Sequence, residues 1–187
     1  MPRSGSTLLE NILSLNPEVT DMGEVNFLEE SIKEAKDFEE VYDLYEKKVI
    51  NQFQSSIIYT DKSLFNYMYC AVISNFFPKA KIINCIRNPL DNILSIYRAN
   101  FLKQSFSFSL TDISSLYVHY FETMEEYKIK YGENIYDYCY EDLIENPNNV
   151  IPGIISWLDW DWDKKYLSPH QNKRNVYTAS SAQIRKK

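Results

Sequence analysis

The stretch PRSGSTLLENIL, residues 2–13, decides how the rest of the chain is interpreted. Its apolar residues recur at the spacing of one helix face, which predicts a helix that begins directly after Gly5. A glycine-containing loop before a helix directs backbone N–H groups and the positive end of the helix dipole towards an anion. Because Arg3, Ser6 and Thr7 add further donors, the stretch predicts a phosphate-binding loop. A serine-rich turn that only caps the helix is the alternative.

The composition indicates one globular domain over residues 1–187. The chain is 44% hydrophobic and 25% charged, and its net charge of -6 argues against nucleic acid or a membrane surface as a partner. The three cysteines form no CxxC pair, so neither a disulfide framework nor a zinc site is indicated. No segment has the pattern of a leader or the length of a membrane span, and we expect a cytoplasmic protein.

Predicted strands and helices alternate along the chain, which favours an α/β sandwich on a parallel sheet. Ligands of such sheets bind outside the carboxyl ends of the strands. The acidic run over residues 29–46 is typical of a solvated helix face. Short runs of apolar, β-branched and aromatic residues predict strands over residues 57–60, 81–86 and 135–140. Helical spacing predicts helices over residues 6–15, 65–77, 89–100, 117–131 and 150–158.

A second motif, RNPLDNILSIYR, follows the strand predicted over residues 81–86. Asn88 suits the N-cap of the next helix, and Pro89 suits its first position. Arg87 at the strand end and Ser95 two turns into that helix can converge on one anion. The alternative for Arg87 is an ion pair with Asp91 or another acid.

These two motifs resemble those of the PAPS-dependent sulfotransferases, where PAPS is 3′-phosphoadenosine-5′-phosphosulfate. The stretch PRSGSTLLE resembles the family's 5′-phosphosulfate-binding loop, in the branch that includes tyrosylprotein sulfotransferases and bacterial sulfotransferases with TPR repeats. The resemblance runs from Met1 to Arg185 in the family's order. It implies a P-loop-like three-layer sandwich with a central parallel sheet, PAPS as the donor, PAP as the product, and no metal.

The resemblance also implies which residues bind the nucleotide. Arg87 and Ser95, eight residues apart, match the family's 3′-phosphate site. The late segment TASSAQIR, residues 178–185, resembles a family segment that folds over the nucleotide, whereas alone it is typical of a solvated terminus. The implied binding residues are Arg3, Ser4, Gly5, Ser6, Thr7, Arg87, Ser95, Thr178, Ser180, Gln183 and Arg185.

The family positions that take part in sulfuryl transfer are matched here by Arg3, Glu24 and Lys62. Glu24, 21 residues after Arg3, matches the proposed general base of tyrosylprotein sulfotransferases. Lys62, in the segment TDK, resembles a family lysine at a strand end and would stabilise the leaving phosphate oxygen. Outside that resemblance, a lone glutamate or a strand-end lysine is usually a surface residue. The segment YEDL over residues 140–143 also resembles the family and predicts a structural role.

The chain departs from the family pattern at both ends. After the late segment, family chains continue with a proline and a further aromatic segment, and the beginning also differs. Family members have an apolar strand directly before the loop. Here the sequence begins at Met1, immediately before the loop residues PRSGS, so we expect the first strand to be missing. Its neighbours would then carry unpaired backbone groups. A misplaced start, a partner segment that supplies the strand, and a degenerate nucleotide-binding remnant all stay open. A homodimer or a complementing segment is therefore an open partner.

Two other functions stay open beside sulfuryl transfer. A P-loop kinase-like phosphotransferase would need ATP and Mg²⁺, although the lysine of the Walker A form GxxxxGK[ST] does not follow Gly5. A non-catalytic PAP-binding or interaction module would retain the nucleotide site alone. The sequence does not decide whether the acceptor is a peptide tyrosine, a carbohydrate or a small molecule.

Overall fold

A computed structural model describes residues 1–53, 56–99, 101 and 105–172 of the chain. Within this part the strands are β1 (Val19–Asp21), β2 (Ile58–Thr60), β3 (Ile82–Ile86) and β4 (Ile135–Cys139). The α-helices described are α1 (Ser6–Leu13), α2 (Phe27–Glu34), α3 (Glu39–Gln52), α4 (Cys70–Phe76), α5 (Pro89–Ala99), α6 (Leu110–Tyr131), α7 (Tyr140–Glu145) and α8 (Pro147–Trp157).

The described strands pair in parallel, which confirms the α/β class expected from the alternating pattern. Strand β1 pairs with β2, with Val19 opposite Ile58. Strand β3 pairs with β4, with Ile82 opposite Ile135. In the described residues these pairs form two separate two-stranded sheets. The carboxyl ends of β2 and β3 lead directly into the two motifs that carry Lys62 and Arg87.

The predicted elements are present, with shifted boundaries. The helix expected over residues 65–77 begins as a 3-10 turn and becomes α4 only at Cys70. Helix α6 begins at Leu110, before the predicted start at residue 117, because the side chain of Ser109 caps it by accepting a hydrogen bond from the Asp112 N–H at 3.2 Å. The acidic run forms most of α2 and α3.

The sequence reasoning missed β1 and α7. Strand β1 has three residues, which is too short to show an alternating pattern. Helix α7 has six residues and contains the segment YEDL, for which the sequence predicts a structural role but no helix. None of the described helices is both long and apolar enough to cross a bilayer.

The largest core joins α1 to the β3–β4 sheet and to α8. Apolar side chains of α1 pack with those of α8 and with Cys85 and Tyr138 of the two strands. The buried members are Leu9, Ile12, Leu13, Cys85, Tyr138, Leu143, Ile151, Ile154, Ile155 and Tyr166. This packing holds the loop before α1 against the sheet end where Arg87 follows β3.

Ile154 and Ile129 provide a matched test of this core. The side chain of Ile154 is 0% exposed, whereas Ile129 is 89% exposed. We expect Ile154→Ala to lower the free energy of unfolding by about 2–5 kcal/mol, because it leaves a cavity in the core. Ile129→Ala should change it by less than about 0.5 kcal/mol. Denaturant titration measures both, and equal losses would contradict this description of the core.

Candidate functional site

The loop before α1 has a backbone that requires glycine at residue 5. Gly5 has φ +99°, and its carbonyl accepts from the N–H groups of Leu8 and Leu9 at 3.0 and 3.2 Å. A Cβ on Gly5 would lie 2.3 Å from Cδ2 of Tyr140. Arg3 also has a positive φ, 61°, which is uncommon outside glycine and occurs at functional sites. The loop is therefore a tight turn closed on one side by the Tyr140 ring.

The second motif contacts this loop directly. The Arg87 Nη1 donates to the carbonyl oxygen of Arg3 at 2.9 Å. The Arg3 Nε donates to Ser95 Oγ at 3.0 Å. From α5, the buried Asn92 Nδ2 donates to the carbonyl of Pro2 at 2.9 Å. The structure thus brings Arg3 together with Arg87 and Ser95, which lie 84 and 92 positions further along the chain.

The alternative of an ion pair for Arg87 finds no support in the described residues, where no carboxylate lies within salt-bridge distance of its guanidinium. Its side chain instead lies over the Tyr140 ring, with Cζ 4.8 Å from the ring centroid. Tyr117 donates to its backbone carbonyl at 2.9 Å. Its buried Nε finds no hydrogen-bond partner among the described residues. Arg87 therefore has a free donor next to the loop.

Two guanidinium groups meet at this loop. Burial lowers the pKa of Arg3 from its ordinary value, and the nearby charge of Arg87 lowers it further. Like charges brought together out of water favour binding of an anion, which neutralises both. Ser4 and Thr7 are buried in the same loop, and Ser6 begins α1. This arrangement can bind a phosphate or sulfate group.

Glu24 and Lys62 form an ion pair at the carboxyl ends of β1 and β2. The Lys62 Nζ lies 2.9 Å from Glu24 Oε1. The Lys62 side chain is 7% exposed, and that of Glu24 is 42% exposed. The Lys62 N–H donates to the carbonyl of Gly23 at 2.8 Å, which extends the β1–β2 pairing to these residues. The pair combines an accessible carboxylate with a buried ammonium.

Glu10 is a member of this site that sequence reasoning missed. It is a buried glutamate on α1 whose Oε1 accepts from the Gly23 N–H and from Thr60 Oγ1, both at 3.2 Å. Its Oε2 lies 3.9 Å from Lys62 Nζ. The sequence did carry a signal, since a glutamate directly beside Leu9 on a helix with buried neighbours needs polar partners.

Asp61, directly before Lys62, accepts hydrogen bonds that stabilise the backbone turn at this site. Burial raises the pKa of its carboxyl above the ordinary value. Tyr45 OH, Ser63 N and Asn66 Nδ2 donate to it at 3.1, 3.0 and 2.9 Å. These bonds hold the turn that follows Lys62.

The late segment with Thr178, Ser180, Gln183 and Arg185 lies outside the described residues. The last described residue, Asn172, is hydrogen-bonded to the end of α1. Its Nδ2 donates to the Asn11 carbonyl at 3.0 Å and to Ser14 Oγ at 2.9 Å. The described residues contain no cluster of three or more potential metal ligands.

Comparison with known proteins identifies the family. A model of the sulfotransferase family matches residues 1–164, which include the loop, both strand ends and the second motif. The chain belongs to the sulfotransferase family. This membership confirms the resemblance drawn from the sequence, with the P-loop-like α/β fold typical of that family. The individual roles of the site residues remain predictions.

The chain is also similar to a protein from Aquifex aeolicus (strain VF5) that is described as an uncharacterized protein. The two proteins are 29% identical over 213 residues, a match that includes 100% of this chain and 28% of the relative. The chain thus spans less than a third of the length of that relative.

Gly5→Ala tests the geometry of the loop. We expect it to lower the free energy of unfolding by about 2 kcal/mol or more, because alanine is strained at this φ and its Cβ overlaps Tyr140. Gly132→Ala is the control, since a Cβ there meets nothing within 4 Å. That variant should leave stability unchanged or raise it by up to about 1 kcal/mol. Equal stability of both variants in denaturant unfolding would contradict the loop geometry.

Proposed function

We propose that this chain binds PAPS and transfers its sulfuryl group to an acceptor hydroxyl or amine by in-line displacement. The contact between Arg87 Nη1 and the Arg3 carbonyl carries the proposal, because it joins the residues predicted for the two phosphorylated ends of one nucleotide. Family membership supports the same reaction. The acceptor is a peptide tyrosine, a carbohydrate or a small molecule.

The donor set of the loop fits such a nucleotide. Arg3, Ser6, Thr7 and the backbone N–H groups at the start of α1 would hold the 5′-phosphosulfate. Arg87 and Ser95 would hold the 3′-phosphate, and the Nε of Arg87, which has no partner among the described residues, would supply a donor for it. Thr178, Ser180, Gln183 and Arg185 would complete the binding site from the late segment.

PAPS would supply the sulfuryl group, whose bond to the 5′-phosphate oxygen breaks as the acceptor oxygen or nitrogen bonds to sulfur. Glu24 would accept the acceptor proton on its exposed carboxylate. The Lys62 Nζ would donate to the phosphate oxygen that leaves. Phosphoryl-type transfers of this kind depend mainly on positioning and on charge stabilisation, which these residues provide.

Nucleotide-dependent stabilisation tests the choice of donor. PAP at about 100 times its Kd should raise Tm by about 5–10 °C without any metal ion, because a ligand that binds only the folded state stabilises it by about 2.7 kcal/mol. A thermal-shift titration measures this. Stabilisation only by ATP with Mg²⁺ would instead support the kinase-like phosphotransferase.

Glu24→Gln tests the base. We expect kcat to fall by about 10²- to 10⁴-fold, since a general base contributes a factor of this size, while PAP affinity stays nearly unchanged. Transfer from labelled PAPS to a panel of tyrosine peptides, carbohydrates and small phenols measures kcat. The control is Glu122→Gln, an exposed glutamate on α6, which should leave kcat unchanged.

Two results would contradict parts of this proposal. Equal losses of turnover and PAP affinity in Glu24→Gln would remove Glu24 as the base. Binding of PAP by a wild-type chain that transfers nothing to any acceptor would support the non-catalytic nucleotide-binding module instead.

A further inference from the structure

Helix α1 carries a buried carboxylate that no step of the proposed reaction uses. The side chain of Glu10 is 7% exposed. Burying a carboxylate is costly unless it is paired with a charge and hydrogen-bonded, so its contacts indicate what it holds in place.

We propose that Glu10 is a positioning residue for sulfuryl transfer, which acts by holding the Lys62 ammonium and the Gly23–Glu24 peptide in fixed positions relative to the donor loop. This inference rests on the proposed function. Glu10 itself touches neither the donor nor the acceptor in this scheme.

The contacts of Glu10 divide between its two oxygens. Oε1 accepts from the Gly23 N–H and from Thr60 Oγ1, and thereby connects α1 to the residue before Glu24 and to the last residue of β2. Oε2 lies 3.9 Å from Lys62 Nζ. The Glu10 carboxylate therefore holds the backbone next to Glu24 and places a negative charge next to the Lys62 ammonium.

Lys62 lies between two carboxylates of different accessibility. Glu24 is much more exposed than Glu10, and its oxygen is the nearer one, at 2.9 Å against 3.9 Å. When Lys62 turns towards the leaving oxygen, it releases Glu24 for the acceptor proton while Glu10 still compensates its charge. The neighbouring Asp61 is already occupied by donors from Tyr45, Ser63 and Asn66.

Helix α1 also fixes the distance between the anion-binding loop and Glu10. The anion-binding loop lies at its N-terminus, and Glu10 follows in the second turn. A helix is a rigid element, so Glu10 holds Lys62 and Glu24 at fixed positions relative to the donor bound at the start of α1. A misplacement of reacting groups by about 1 Å can cost about 10²-fold in rate, so the positions of Lys62 and Glu24 affect turnover.

Glu10→Gln tests the inference, because glutamine keeps an oxygen for the Gly23 N–H and Thr60 but loses the charge facing Lys62. We expect kcat to fall by about 10- to 100-fold, with KM for PAPS and PAP affinity within about threefold of wild type. Glu122→Gln is again the control. Unchanged kcat in Glu10→Gln, with an active wild type, would overturn the inference.

A double-mutant cycle separates positioning from a general structural role. In a Lys62→Met background, Glu10→Gln should lower kcat by less than about threefold further, because the group it acts through has been removed. The same fold-loss in both backgrounds would mean that Glu10 acts independently of Lys62, and would overturn the inference.

A milder variant covers the case in which Glu10→Gln does not fold. Thr60→Val removes one donor to Glu10 Oε1 at nearly constant volume, and we expect kcat to fall by about 3- to 10-fold while Thr60→Ser restores it. Full kcat in Thr60→Val would overturn the inference. A wild-type chain without transfer activity overturns the proposed function, which is a different result from an active wild type that is insensitive to these substitutions.

Discussion

The hydrogen bond from the Arg87 guanidinium to the Arg3 carbonyl is the contact on which the rest of the site depends. It joins residues 84 positions apart and brings the end of β3 to the loop before α1. Two further features support it: the Tyr140 ring packs against both Gly5 and Arg87, and Asn92 holds the Pro2 carbonyl from α5. The result is a pair of neighbouring cations held in place by the surrounding packing, as anion binding requires.

Helix α1 couples this cationic loop to the ion pair at the other sheet. The parallel pairing of β1 with β2 places Glu24 beside Lys62, and Glu10 connects both to α1. Each strand pair thus contributes one group of polar side chains at its carboxyl end, and α1 contacts both groups. A substitution in α1 is therefore expected to affect the two groups together, whereas one in α6 away from these contacts is not.

Local patterns predicted a large part of the fold. The loop and α1, strand β3, and the capped start of α5 follow from local spacing, and Asn88 Oδ1 does accept from the Leu90 N–H at 3.0 Å. Contacts between distant residues were not predictable in this way. Glu10 meets Thr60 across 50 positions, and no periodicity encodes that pairing. The family resemblance suggested the roles proposed for Glu24 and Lys62, but it did not predict their direct ion pair.

Calorimetric titration with PAP and with 5′-AMP tests the central claim most directly, because the two ligands differ in the 3′-phosphate. Wild type should bind PAP at least about tenfold more tightly, since a hydrogen bond to a charged group contributes about 1.5–3 kcal/mol. In Arg87→Met the two affinities should agree within about threefold, while 5′-AMP binding stays close to wild type. Equal affinities of the wild-type chain for both ligands would contradict the claim that Arg3 and Arg87 bind opposite ends of one nucleotide.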